Sequence, residues 1–220
     1  MGKYISEEGF PVYSGLWWKF ALPVPILAIH GGLAAASIHF ASLRPGSSGV
    51  RLAGGVVLGL CLWTLFEYFL HRWLLHHRRF SILKKIFWNG LHREHHLYRS
   101  MLDPDHHGIH VVLTLPVAAL AIGPTALLSR SGWTLGASGG WVLGYCGYEA
   151  MHWLFHSGSP RKGLLRVPLL RHLYEVHTVH HLQRPDRNYG FITAFWDRRF
   201  RTYLPWEEAR PRLRNAPRSS

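Results

Sequence analysis

Four long apolar runs, separated by segments crowded with histidine and arginine, leave this chain few ways to fold. The runs cover about 17–41, 52–70, 111–128 and 133–155. An α-helix rises about 1.5 Å per residue, so roughly 20 apolar residues cross the hydrocarbon core of a bilayer. In lipid every backbone polar group must be satisfied inside its own segment, which selects helices over open sheets. The expected fold is therefore all-α and integral to a membrane, with about four transmembrane helices in two hairpins. Arg44-Pro45-Gly46-Ser47-Ser48-Gly49 turns the chain between the first two runs, and Arg130-Ser131-Gly132 between the last two. Pro23 and Pro25 delay or kink the first helix, and the glycines of the fourth run permit close helix packing. With 220 residues the chain fits one domain, 1–220.

The formal charge is +13. A basic balance suits nucleic acid or an anionic membrane surface, and the apolar runs decide for the membrane. Seven Lys and Arg fall between Arg72 and Arg99, and thirteen after residue 157. The opposite side of a four-span chain holds mainly Arg44, Arg51 and Arg130. Loops rich in Lys and Arg stay cytoplasmic, so segments 71–109 and 157–220 form a cytosolic helical cap, with both termini on that side. Cys61 and Cys146 lie inside apolar runs, which argues against a disulfide framework. Lys3, Glu7 and Glu8 mix the charge of the N-terminus and no small-residue cleavage site follows, so insertion is expected to use the spanning helices. A bacterial inner membrane is expected in preference to endoplasmic reticulum.

The cap segments carry the chemistry. Seventeen histidines is far above ordinary usage, and most stand in ordered clusters: His71 and His76; His92, His95 and His96; His152 and His156; His177, His180 and His181. Neutral imidazole is a strong ligand for iron, zinc and copper. Residues three or four apart share a helix face, so His92 pairs with His95 or His96, His177 with His180 or His181, and His152 with His156. Adjacent histidines diverge by about 100° on an ideal helix, so a pair such as His95-His96 can serve two different metals. Two facing HxxHH units therefore form a two-metal cage. His30, His39, His110 and His172 read as packing or solvated residues, and His77, His106 and His107 are ambiguous.

The ordered pattern His71-x4-His76, His92-x2-His95-His96, His152-x3-His156, His177-x2-His180-His181 resembles the fatty acid hydroxylase / sterol desaturase superfamily of membrane oxygenases, over about residues 50–205. Asp103-Pro104-Asp105 before an apolar run resembles the fatty acid 2-hydroxylase branch, and Asn188-Tyr189-Gly190-Phe191 with Phe195-Trp196-Asp197 resembles the closing segment of the family. Arg201 departs from the sterol-desaturase pattern, where glycine often precedes Thr-Tyr. The resemblance implies that those ten clustered histidines hold two iron ions, with zinc able to occupy the site in isolated protein. It implies dioxygen as co-substrate and a lipid acyl chain hydroxylated at C2. Nothing resembles the fused cytochrome b5-like domain of some relatives, so a separate electron donor (cytochrome b5-like, ferredoxin or reductase) is expected. Glu67, Glu94, Glu149 and Glu175 are candidates to orient imidazoles from behind, or to pair with arginines. Trp73, Trp88, Tyr145, Tyr148 and Trp153 line an acyl channel or, more simply, anchor the chain at the interface.

Sterol or carotenoid desaturation or hydroxylation uses the same metal chemistry in another cavity and is the nearest rival. A non-catalytic metal-binding or transport protein would need a path of ionisable residues through the spans. His30, His39, Lys19 and Glu67 make a poor one. A nucleic-acid partner is not expected.

Overall fold

The computed structural model describes residues 23–76, 80–97, 111–156, 163 and 165–209; all regular structure among them is helical, with no strand. The described helices are α1 (Pro23–Ser42), α2 (Gly49–Phe69) continued by a π-helical turn (Leu70–Leu75), α3 (Ser81–Leu83) continued by a π-helical segment (Lys84–His92) into α4 (Arg93–Leu97), α5 (Val111–Leu128), α6 (Gly132–His156), α7 (Pro168–Leu182) and α8 (Phe195–Arg199). Two compact units divide the chain: residues 1–63 with 105–153, and residues 64–104 with 154–220. Trp17, Trp18 and Lys19, the Asp103-Pro104-Asp105 element, and His77, His106, His107 and His110 lie outside the described residues.

The first unit is a pack of apolar helices. Pro23 opens α1, where its missing N–H costs nothing and its fixed φ suits the first turn. Among the described residues, two helices are long and apolar enough to cross a membrane, Val24–Ser42 and Gly49–Leu75. The apolar part of α5, Thr114–Leu128, is shorter. The expected fourth run does form one 25-residue helix, α6, but Glu149, His152 and His156 dilute its apolar face.

Glycine sets the spacing in this unit. A Cβ on Gly55 or Gly59 of α2 would meet backbone of Trp133, Ala137 or Trp141 on α6, and one on Gly140 would meet Val56 backbone. Hydrogen still permits that approach, as at small-residue membrane interfaces. Ser37 donates to the Leu135 carbonyl at 3.0 Å, tying α1 to α6. Thr125 and Ser138 share a hydrogen bond of 2.9 Å between α5 and α6. Ala34, Ala118 and Val142 form the buried contact of these three helices.

The second unit holds the π-helical elements, α7 and the segment that follows it. Pro168 starts α7, again at the first helical turn. Past its C-terminus the chain makes a loop rather than another helix. Asn188 there adopts a left-handed conformation (φ 55°), and Arg201 another (φ 59°). Asn tolerates that region better than most residues. Glycine would adopt the Arg201 conformation without steric cost.

Candidate metal centre

The π-helical turn is what makes His71 and His76 neighbours. Five residues apart on an α-helix, they would stand on different sides. Here the His76 N–H donates to the His71 carbonyl at 3.2 Å, an i→i+5 bond, and this wider turn stacks the two side chains. Their Nε2 atoms lie 3.2 Å apart. Such π-bulges recur at functional sites. The second π-helical segment then delivers His92, whose Nε2 sits 3.1 Å from that of His71 and 3.1 Å from that of His76. His96 Nε2 is 3.0 Å from His92 Nε2. His180 on α7 closes the ring, 3.1 Å from His76 and 3.2 Å from His96.

Hydrogen bonding alone does not account for this ring. His71 Nδ1 is 2.7 Å from the Tyr189 carbonyl, and His180 Nδ1 is 2.7 Å from the Arg187 carbonyl. A carbonyl only accepts, so those Nδ1 atoms carry the protons and both Nε2 atoms present lone pairs. The other three imidazoles, when neutral, can place at most one proton each on Nε2, yet six Nε2–Nε2 contacts of 3.0–3.2 Å link the five rings. At least half of these contacts therefore face lone pair to lone pair unless a cation stands among them. Imidazoles about 2.1 Å from one ion and at right angles to each other stand about 3.0 Å apart. The donor set thus fits a metal ion.

The second cluster gathers His95, His156, His177 and His181 in the same unit. His152, one turn before His156 on α6, offers its nitrogen to the same group. In each cluster the five nitrogens lie within 4.8 Å of one another. His156 Nε2 is 3.0 Å from His177 Nε2, and the His181 ring is 4.4 Å from those of His95 and His177. His181 Nε2 is buried with no hydrogen-bond partner, as expected of an atom kept for a ligand. The His96 and His181 rings, one from each cluster, stack at 4.4 Å. Each adjacent pair is therefore divided: His96 and His180 serve the first cluster, His95 and His181 the second. Of the pairings open to His92 and His177, the structure selects His96 and His181.

Electrostatics keep these rings ready to bind. Burial first, and then mutual repulsion among the imidazoles, holds His92, His180 and His181 well below the ordinary histidine value. Near neutral pH they are uncharged, the form that ligates.

The loop after α7 is the part of the site that spacing alone missed. It gives the Arg187 and Tyr189 carbonyls to the first cluster and the Phe191 ring to His177, at 4.6 Å. Four successive backbone N–H groups in this loop are taken by two carboxylates. Asp197 accepts from Tyr189 (2.8 Å) and Gly190 (2.7 Å), and Glu67 accepts from Phe191 and, at 3.2 Å, Ile192. Asn188 pins the start of the loop, donating to the Val176 and Leu204 carbonyls and accepting from Leu204 N–H.

The acidic candidates separate accordingly. Glu67 binds the loop backbone across 124 residues of sequence. Glu175 pairs with Arg171 one turn away at 3.2 Å, the ordinary surface alternative. Glu149 is buried in α6, one turn before His152. The Glu94 side chain lies outside the described residues. His30 is buried in the first unit, its Nδ1 3.0 Å from the Ile26 carbonyl. His39 is exposed and His172 part-buried, and none of these three belongs to either cluster. Trp88 packs beside His76, His92 and His96, with ring centroids 5.2, 6.0 and 5.8 Å away. Trp73 is 56 % exposed.

The sequence profile of the fatty acid hydroxylase family matches residues 56–202. A dihydroceramide fatty acyl 2-hydroxylase of Arabidopsis thaliana is 30 % identical over 67 % of this chain and 59 % of its own length. The fatty acid 2-hydroxylase of Rattus norvegicus is 32 % identical over 73 % of this chain and 42 % of its own. The chain thus spans roughly half the length of these two relatives. A solved structure of full-length Scs7p, in which only the hydroxylase domain is visible, aligns with a TM-score of 0.65 over 96 % of this chain and 75 % of that one, at 24 % identity. Both relatives are eukaryotic, so they lend no support to a bacterial inner membrane.

Proposed function

Because the chain belongs to the fatty acid hydroxylase family, we propose that it is a membrane-bound non-haem dimetal oxygenase that hydroxylates a lipid acyl chain at C2. The observation that carries this reading is the pair of five-imidazole clusters, set side by side and rich in lone pairs with too few protons between them. His71, His76, His92, His96 and His180 would hold one ion, and His95, His152, His156, His177 and His181 the other. Two iron ions bound there supply the chemistry that side chains lack, reductive activation of dioxygen for insertion into an unactivated C–H bond.

The chain's own residues bind and orient. The Tyr189 and Arg187 carbonyls fix the tautomers of His71 and His180, so that both Nε2 lone pairs face inward. Asp197 and Glu67 hold the loop that presents those carbonyls. Trp88 and Phe191 cover the rings and keep water from them. The names of the two relatives favour C2 of an acyl chain, in free or amide-linked form. Four membrane spans with both clusters on the cytosolic side, as the charge distribution favours, and an external electron donor of cytochrome b5, ferredoxin or reductase type complete the reading.

Lipidomics tests it. The wild type and a His95→Ala, His96→Ala variant are expressed in a host without the activity but with ceramides, iron and a reductase. The expected result is acyl chains heavier by one oxygen, with the oxygen at C2 by fragmentation, in the wild type alone. Chains lighter by two hydrogens would make it a desaturase. Unchanged lipids would overturn the acyl-hydroxylase reading.

A further inference from the structure

One surface of the second unit is unusual for a segment meant to lie in water. From Phe80 to Trp88 the chain reads Phe-Ser-Ile-Leu-Lys-Lys-Ile-Phe-Trp. Phe80 is 64 % exposed, Ile82 68 % and Ile86 51 %. Lys84 and Lys85, between them, are exposed as well. The same short element carries Trp88 against the first histidine cluster. One end of the segment therefore covers the metal centre while its exposed arc offers bulky apolar groups flanked by ammonium groups.

Chain length restricts where that arc can be. The apolar helix Gly49–Leu75 is a candidate membrane span, and Phe80 follows Leu75 by five residues. Fully extended, five residues reach at most about 18 Å, so the segment stays close to wherever that helix leaves the hydrocarbon. Apolar side chains exposed beside lysines, at the depth of the headgroups, are the pattern of an interfacial helix, and lysine complements the anionic lipids of the cytosolic leaflet.

We propose that residues 80–88 form an interfacial anchor: Phe80, Ile82 and Ile86 enter the acyl boundary of the cytosolic leaflet, Lys84 and Lys85 hold anionic headgroups, and the cover of the first histidine cluster is thereby seated on the membrane. This rests on the membrane placement proposed above, and not on the reaction. Its occupant is the lipid surface itself, rather than a protein or a second copy of the chain.

The test uses the full chain in lipid nanodiscs of phosphatidylcholine, with and without phosphatidylserine. Single nitroxide labels replace Ile82, Ile86 or Lys84 in a Cys61→Ser, Cys146→Ser background, and a label at Val57, exposed on α2, is the control. Power saturation is read against oxygen, which concentrates in the acyl region, and against a water-soluble nickel chelate. Labels at 82 and 86 are expected to meet oxygen in preference to nickel, and the label at 84 the reverse. Lys84→Glu with Lys85→Glu is expected to raise nickel access at 82 severalfold in the anionic discs alone.

Nickel access at 82 and 86, with Val57 still in oxygen, would overturn the anchor and leave the membrane reading intact. Nickel access at Val57 would overturn the membrane placement itself. Labels at 82 and 86 shielded from both reagents would assign the surface to a protein partner. Equal behaviour in both lipid mixtures would overturn the headgroup role of the lysines. Hydrogen exchange of 80–88 in the unmodified protein, protected in discs and faster after the lysine reversal, checks the same point without engineered cysteines.

Discussion

Tyr189 gives the first cluster its backbone carbonyl, and through it the tautomer of His71, and its ring packs 5.5–5.8 Å from those of His71, His76 and His180. Its position depends on Asp197, which accepts from the N–H groups of Tyr189 and Gly190 and from the Thr202 hydroxyl. Groups that orient a ligand typically change metal affinity by about 10- to 100-fold when removed. Asp197→Ala is therefore expected to weaken metal retention about that much, read as chelator competition, with every histidine intact. At Gly190 a Cβ would meet Thr193 backbone and lie 2.8 Å from Asp197 Oδ2, so Gly190→Ala should act in the same direction. Titration gives a separate check. His92, His180 and His181 titrate well below 6.5 in the fold, so below about pH 6.5 the unfolded chain binds more protons than the folded one. Stability then rises with pH in that range. For metal-free protein the unfolding midpoint is expected to hold from about pH 8 to 7 and to fall on acidification below about 6.5. A midpoint insensitive to pH there would contradict buried, neutral imidazoles.

The π-helical turn Leu70–Leu75 is the element on which the first cluster depends, and it was the least legible in the sequence. The His71-x4-His76 spacing is plain to read, but helical periodicity alone sets these side chains apart. Only the i→i+5 bond brings them together, and the residues of the turn, Leu-His-Arg-Trp-Leu-Leu, carry no π-specific signature. Inserting an alanine after Leu74 sets the two histidines six residues apart, off any shared helix face, and should turn His76 away and lower metal occupancy by up to one ion per chain, measured by elemental analysis. The division of His95 from His96 was legible, because adjacent side chains on a helix must diverge. The loop's role was not, since the Tyr189 and Arg187 carbonyls exist at every residue and their use depends on the path of the chain. From its place four residues before His71, Glu67 stands as a candidate to orient an imidazole or to pair with an arginine; the backbone N–H groups it binds lie 124 and 125 residues on. On α6, Gly140 faces Val56 backbone too closely for any side chain. Overpacking of this kind costs about 1–3 kcal/mol, so Gly140→Val should lower the unfolding midpoint in detergent by several degrees.

At the scale of the whole molecule, the order of apolar runs and histidine segments was enough to read the helical architecture of the described residues and the grouping of their histidines into clusters that could hold metal. The helix count in the membrane was less legible, because α6 must serve two masters: its glycines and aromatics pack in the first unit, while its last two turns bear Glu149, His152 and His156. Among the described residues, length and apolarity mark only Val24–Ser42 and Gly49–Leu75 as candidate spans. The central claim is that ten histidines divide into two independent five-imidazole metal sites. Metal counting on purified protein, loaded with iron under reducing conditions, tests it most directly. The wild type should hold two ions per chain. A His76→Ala, His180→Ala variant should hold one, and so should His156→Ala, His177→Ala, because each pair belongs to a different cluster. A single ion in the wild type, or loss of both ions from either variant in a chain that remains folded, would contradict two separate sites.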